Sequence, residues 1–168
     1  MADKHEHVVV EFVEQMGLIL QGEGLPRIAG RIMGLMIMHG GPFSLTGLAE
    51  RLSVSRASIS TNTRLLEDLG VIERTATPGD RQDYFRLSRQ PYARMLRGVV
   101  RRMRRAREVV ESTQETLPEE MSETHERLEE LDAFYEALIE SFVNVIDAWE
   151  TERQRSARQR RVAPRPSA

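Results

Sequence analysis

One stretch narrows the fold more than any other: residues 45–87, LTGLAERLSVSRASISTNTRLLEDLGVIERTATPGDRQDYFRL. Leu45, Leu48, Ala49 and Leu52 recur at helical spacing, and Ile59 and Leu66 do so again after a short break. Ser55 can cap the second helix through its hydroxyl, and Val54 and Ile59 have the spacing of a hydrophobic staple. Gly70 closes that helix. Val71–Arg74 and Tyr84–Leu87 alternate like short strands. Between them lies Thr77-Pro78-Gly79-Asp80-Arg81-Gln82, and Pro-Gly is the pair a type II turn requires. Helix, tight turn, helix and hairpin, in that order, make a winged helix-turn-helix.

The second helix has an unusual outer face. With Ile59 inward, Leu66 falls on the same side, flanked by Asn62 and Thr63. The opposite side holds Ala57, Thr61, Arg64 and Asp68, with Ser58 and Ser60 at its edges. Its first two turns carry no carboxylate. A narrow surface rich in hydroxyls, with Arg56 and Arg64 as its charges, can enter a DNA major groove. The candidate DNA contacts are Ser55, Arg56, Ser58, Ser60, Thr61, Asn62 and Arg64, with Arg81 at the hairpin tip reaching a minor groove or a phosphate. Asp80 is expected to order the tip or orient Arg81.

The flanks read as support. Val9, Phe12, Val13, Met16, Ile19 and Leu20 predict a helix over about Asp3–Leu20, ended by Gly22 and Gly24. Pro26 opens a second helix, apolar on much of its circumference through Ile28, Ile32, Leu35, Met36 and Ile37, and therefore buried. Gly30 and Gly34, four apart, permit close approach of another backbone. Gly40-Gly41-Pro42 breaks the chain, and Phe43-Ser44 can add a short strand to the wing. Pro91 starts a long fifth helix, with Ser88 as its expected cap.

After Pro118 a seven-residue repeat takes over. Met121, Leu128, Tyr135, Phe142 and Trp149 form one series; Thr124, Leu131, Leu138 and Val145 form another, three residues later. Sustained over four repeats, this is the seam of a coiled coil, and it needs partners. The partners expected are helices one and five and the same elements of a second chain. Phe12, Leu128, Leu131, Tyr135, Leu138, Phe142, Val145 and Trp149 are the candidate dimerisation residues. The expected organisation is residues 1–25 as a dimerisation or support helix, 26–90 as the winged helix-turn-helix and 91–152 as a helical dimerisation arm. Residues 153–168, with two prolines and no apolar period, read as a disordered basic tail. The fold class is mainly α with a small β-wing, ending in long C-terminal dimerisation helices.

Charge is sorted along the chain, which the net value of −2 conceals. Residues 55–105 hold twelve arginines against five acidic residues. Residues 108–152 hold fifteen acidic residues against Arg127 alone, and 153–168 hold six arginines and no acid. The basic block coincides with the winged stretch, as nucleic-acid binding requires. The absence of cysteine excludes disulfides, thiolate metal sites and thiol redox sensing. His5 and His7 read as solvated. No metal or cofactor is expected. There is no glycine-rich phosphate loop, no HExxH and no cluster of histidines with carboxylates, so an enzyme is not expected. No leader peptide and no membrane-length apolar run is visible, and a cytoplasmic protein is expected.

The chain resembles the MarR superfamily of regulators, and more closely its GbsR-like branch. The resemblance rests on GLPRIAGRI at Gly24–Ile32, LAERL at Leu48–Leu52, SRASISTN at Ser55–Asn62 and PGDR at Pro78–Arg81, over roughly residues 10–150. It implies a homodimeric, DNA-binding transcriptional regulator, with a small effector held between the DNA-binding lobe and the dimer arm. Its identity is open. Phe12, Tyr92, Tyr135, Phe142 and Trp149 could supply rings for a quaternary ammonium cage, yet several of them fall on the dimer seam. The expected function is therefore a sequence-specific double-stranded DNA binder, a repressor released by a small molecule. The alternative is a winged-helix protein-interaction module without specific DNA binding.

Overall fold

In a computed structural model the described residues are 2–76, 80 and 82–162. The elements are α1 (Ala2–Gly22), α2 (Arg27–His39), β1 (Phe43–Ser44), α3 (Leu45–Leu52), α4 (Arg56–Asp68), β2 (Ile72–Thr75), β3 (Tyr84–Leu87), α5 (Pro91–Thr116) and α6 (Ser122–Val162). The architecture is mainly α with a three-stranded antiparallel wing, ordered β1-β3-β2. The chain forms two compact units that divide between Arg94 and Met95.

In the first unit α1 lies along α2. The glycines make this possible. A Cβ on Gly30 would overlap the Met16 carbonyl and stand 2.8 Å from Gly17 Cα, and one on Gly34 would stand 3.1 Å from Val13 Cα. Only hydrogen in place of a side chain lets the two backbones approach so closely. The core then gathers Ala29, Ile32 and Met36 of α2, Leu48 and Leu52 of α3, Ile59 and Leu66 of α4, and Val71, Ile72 and Phe85 of the wing, all buried. Burying each of the larger side chains contributes about 1.5–3 kcal/mol. Gly40 and Gly41, at φ 79° and 83°, end α2 in the left-handed region.

The wing register pairs Ile72 with Leu87 and Thr75 with Tyr84, while Phe43 of β1 pairs with Phe85. The short strand anticipated at Phe43-Ser44 therefore forms and joins the wing. Ser88 departs from expectation. Its hydroxyl donates to the Gly70 carbonyl at 2.8 Å, and it is buried. It fastens β3 to the end of α4 instead of capping α5.

In the second unit α5 and α6 are tied by arginines. Arg107 makes two bonds to Asp132, Nε to Oδ1 at 2.7 Å and Nη2 to Oδ2 at 2.8 Å. Arg97 donates to Glu150. The hydrogen bond from Arg107 holds the Asp132 carboxyl below its ordinary pKa. The same bond pushes the guanidinium up.

α6 continues to Val162, beyond Glu152. Residues 153–162 are thus helical where disorder was expected; 163–168 lie outside the described residues. Arginine, glutamine and alanine are good helix formers, and no Pro or Gly intervenes before Pro164. The absence of an apolar period removed the packing signal without removing the propensity.

Candidate nucleic-acid interface

Two short segments set the helix-turn-helix. Ser44 caps α3, its hydroxyl accepting from Gly47 N at 3.1 Å. Ser53 takes the left-handed conformation at φ 52° and closes α3. Ser55 then caps α4 by accepting from Ser58 N at 3.2 Å. At the other end Val71 N donates to Leu66 O at 2.9 Å and Gly70 N to Glu67 O at 2.8 Å, a Schellman closure with Gly70 at φ 75°. The second helix is therefore fixed at both ends by residues that the sequence marks.

Its faces separate sharply. Ile59, Thr63 and Leu66 are buried, while Ala57, Thr61, Arg64 and Asp68 are exposed, as is Arg56. Ser58 and Ser60 are half-buried at the edges, and Ser55 is exposed. Asn62 does not join the exposed face. It is only 6% exposed, and its Nδ2 donates to Ser58 O at 2.8 Å. Lying just beyond Leu66 at the margin of the buried arc, it turns toward the core and is removed from the contact set. Arg81 lies outside the described residues, as does the Pro78-Gly79 turn.

Ion pairing sorts the arginines of the first unit. Arg27 and Arg31 pair with Glu14, Arg74 with Asp83 and Glu67, and Arg86 and Arg94 with Glu73. Arg51, Arg56 and Arg64 form no ion pair with any described residue. Arg56 and Arg64 carry the outer face of α4. Arg51, at the end of α3, was not among the expected contacts; its guanidinium stands 5.4 Å from the centre of the Phe43 ring. A basic residue in the last turn before the helix-turn-helix bend was its only signal. Positive charge without a neighbouring carboxylate is the charge available to phosphate.

The wing is stiffened near its tip. Asp80 accepts from Gln82 N at 2.9 Å and from the Tyr84 hydroxyl at 2.7 Å. The bond to Asp80 pushes the Tyr84 hydroxyl above its ordinary pKa, since the phenol proton is held by a carboxylate. Lower down, Arg74 bridges to Asp83 at 3.2 Å and lies over Phe85. Asp80 thus ties Gln82 to Tyr84 on the β3 side of the tip; the turn and Arg81, toward which its two expected roles pointed, lie outside the described residues.

Of the candidate dimerisation residues, Leu131, Val145 and Trp149 are exposed, whereas Phe12, Leu128, Tyr135, Leu138 and Phe142 are half-buried. No described helix is long and apolar enough to cross a membrane.

A winged helix-turn-helix that offers a small, carboxylate-poor helix face, with arginines that pair with no described carboxylate, defines a DNA-binding transcriptional regulator. A MarR-family sequence signature matches residues 23–83. The HTH-type transcriptional regulator MmpR5 of Mycobacterium tuberculosis is 36% identical over 124 residues, 73% of this chain and 75% of that protein. The HTH-type transcriptional repressor OpcR of Bacillus subtilis is 25% identical over 87 residues, 52% of this chain and 47% of that one. A crystal structure of a transcriptional regulator matches at a TM-score of 0.77 with 30% identity, over 85% of this chain and 98% of the other. The chain belongs to the MarR family of transcriptional regulators.

Proposed function

We propose that the protein is a sequence-specific double-stranded DNA-binding repressor of the cytoplasm, acting as a homodimer of the GbsR-like branch and released by a small effector. The observation that carries this reading is the outer face of α4, where Arg56, Thr61 and Arg64 are exposed and Arg56 and Arg64 have no carboxylate partner among the described residues. Ser55, Ser58 and Ser60 would assist at its edges, and Arg81 would anchor the wing. Two such helices in a dimer would read half-sites about 34 Å apart. The exposed apolar residues of α6 support a second copy, because a surface of this kind is costly to leave in water. The branch rests on the resemblance carried by Gly24–Ile32, Leu48–Leu52, Ser55–Asn62 and Pro78–Arg81.

Apart from the lobe-to-arm position that the resemblance implies, a groove of about 330 Å³ between α5 and α6 offers a small effector a place within the second unit. Val100, Val143 and Ile146 floor it, and Arg97, Arg101 and Arg104 stand at its rim with Asp147. Its effector would be small.

The experiment is operator selection from random DNA, followed by gel-shift titration of Arg64→Ala and Arg81→Ala. Each variant should bind the selected site about tenfold more weakly while sedimenting as the parent does. Affinity should fall steeply with salt as phosphate contacts release counterions. Unchanged binding by both variants would remove the assignment.

A further inference from the structure

α5 carries a concentration of positive charge that the reading helix does not use. Three of its arginines have carboxylates: Arg94 meets Glu73, Arg97 meets Glu150 and Arg107 meets Asp132. Arg101, Arg102, Arg104 and Arg105 are exposed and pair with no carboxylate among the described residues. Val100 and Val110 are buried and mark the packed side of the helix. At about 100° per residue, Arg105 falls opposite the middle of that side, with Arg101 and Arg102 flanking it. Arg104 lies at the margin, and exposed Glu108 ends the patch.

Gly98 lies in the middle of this face. Among the described residues, a Cβ there would meet Arg102 Nη1 at 3.5 Å and Arg101 Nη2 at 3.7 Å. Glycine is a poor residue in a helix interior, and here, unlike at Gly30, no packed backbone needs the room. The room is flanked by two guanidiniums, whose like charges converge on one point of the helix surface with no carboxylate to balance them. Like charges brought together on a helix are unfavourable. A shared oxyanion removes the repulsion, since each guanidinium can donate to a phosphate oxygen. Glycine lets that oxyanion come close to the backbone.

We propose that this face of α5 holds the phosphodiester backbone of duplex DNA outside the bases read by α4. This rests on the DNA-binding reading and adds a second contact surface. Arg101 to Arg105 covers about 6 Å of helix, enough for about two phosphates of one strand at a rise of about 3.4 Å each. Arg101, Arg102 and Arg105 have no aromatic ring among them on which an unpaired base could stack. Val109, the exposed apolar residue beyond Glu108, is too little to anchor the face in a lipid surface. Contacts to phosphate carry no base preference. They add affinity for DNA of any sequence and keep the regulator near its operator.

The test uses the full chain and two duplexes, a selected operator and an unrelated sequence of equal length. Arg102→Gln with Arg105→Gln should bind the unrelated duplex about tenfold more weakly, and the slope of log affinity against log salt should flatten by about two. Its order of preference among operator sequences should stay that of the parent, whereas Arg56→Ala with Arg64→Ala should lose that preference. Gly98→Ala should melt at a higher temperature, because alanine is the better helix former, yet bind the unrelated duplex more weakly. Unchanged affinity and slope for the unrelated duplex in the first variant would overturn the proposal. So would a dimer weakened by that variant, which would make the face a contact between copies. Lost binding to phosphatidylglycerol vesicles with duplex binding unchanged would assign the face to a lipid surface and overturn it too. A parent that selects no operator from random DNA would remove the reading by α4, while the salt slope on the unrelated duplex would still decide the role of α5.

Discussion

Arg31 donates through Nη2 to the Leu52 carbonyl at 2.9 Å, joining α2 to the last residue of α3. The same guanidinium lies 2.7 Å from Glu14 on α1 through Nε. One side chain therefore links the N-terminal helix to the bend of the helix-turn-helix. Leu52 precedes Ser53, whose left-handed conformation aims α4.

Arg31→Met keeps most of the aliphatic stem and removes both connections. A hydrogen bond from a charged donor is worth about 1.5–3 kcal/mol. Stability in urea should fall by about 2 kcal/mol, and DNA affinity should fall with it because the bend loosens. Glu14→Gln should retain the bond to Leu52 and lose less.

Asn62 tests the division of α4 into two faces. Asn62→Ala removes a buried amide whose Nδ2 holds the Ser58 carbonyl. The expected result is a stability loss of about 1 kcal/mol with the preferred DNA sequence unchanged in binding-site selection. Thr61→Ala should do the reverse, altering preference at one base pair and leaving thermal unfolding within about 0.5 kcal/mol of the parent.

Gly30→Ala places a methyl group into the backbone of α1. The neighbours are main-chain atoms of Met16 and Gly17, which no rotamer change can move. The helices must separate, at a cost of about 1–3 kcal/mol by the usual scale of overpacking. Gly22→Ala is the control, since nothing lies within 4 Å of its Cβ position. Denaturant melts of the two variants distinguish a local clash from a general intolerance of alanine.

Tyr84 makes the wing sensitive to alkali. Its folded pKa stands above the ordinary value of 10.0 because Asp80 holds the phenol proton. The stabilisation is complete below the unfolded pKa and is lost as pH rises through the folded one. At neutral pH the lock is closed. Tyrosinate absorbance should show one late-titrating phenol in the parent. Asp80→Asn should return it toward 10.0, and Tyr84→Phe should remove it. A late phenol that persists in both variants would belong to another tyrosine.

Much of this was legible in the chain because the signals were local. Ser55, Gly70 and the Gly40-Gly41 break announce helix ends through backbone requirements, and those ends lie where they were expected. The wing strands were legible from their alternation, and β1 from two residues. Three features were not legible, one at a marginal position and two through partners distant in sequence. Asn62 sits at the margin of the buried arc, and a wheel alone does not say on which side a marginal residue falls. Ser88 stands where a cap is useful, but the Gly70 carbonyl, remote in sequence, offered its hydroxyl a closer acceptor. Arg31 looks like any surface arginine of α2 until α3 is placed beside it. The extension of α6 was missed for a different reason. Periodicity reports burial, and a helix that buries nothing carries no such mark.

The burial of Asn62 limits vocabulary. Without it, the outer face of α4 has room for only a few side chains, and a few side chains can spell only about three or four base pairs. A word that short recurs by chance every few hundred base pairs, so a chromosome offers thousands of false matches to a single copy. Requiring two such words at a fixed interval roughly squares the rarity. For a reader with so short an alphabet, the ruler between the words carries as much of the message as the letters do.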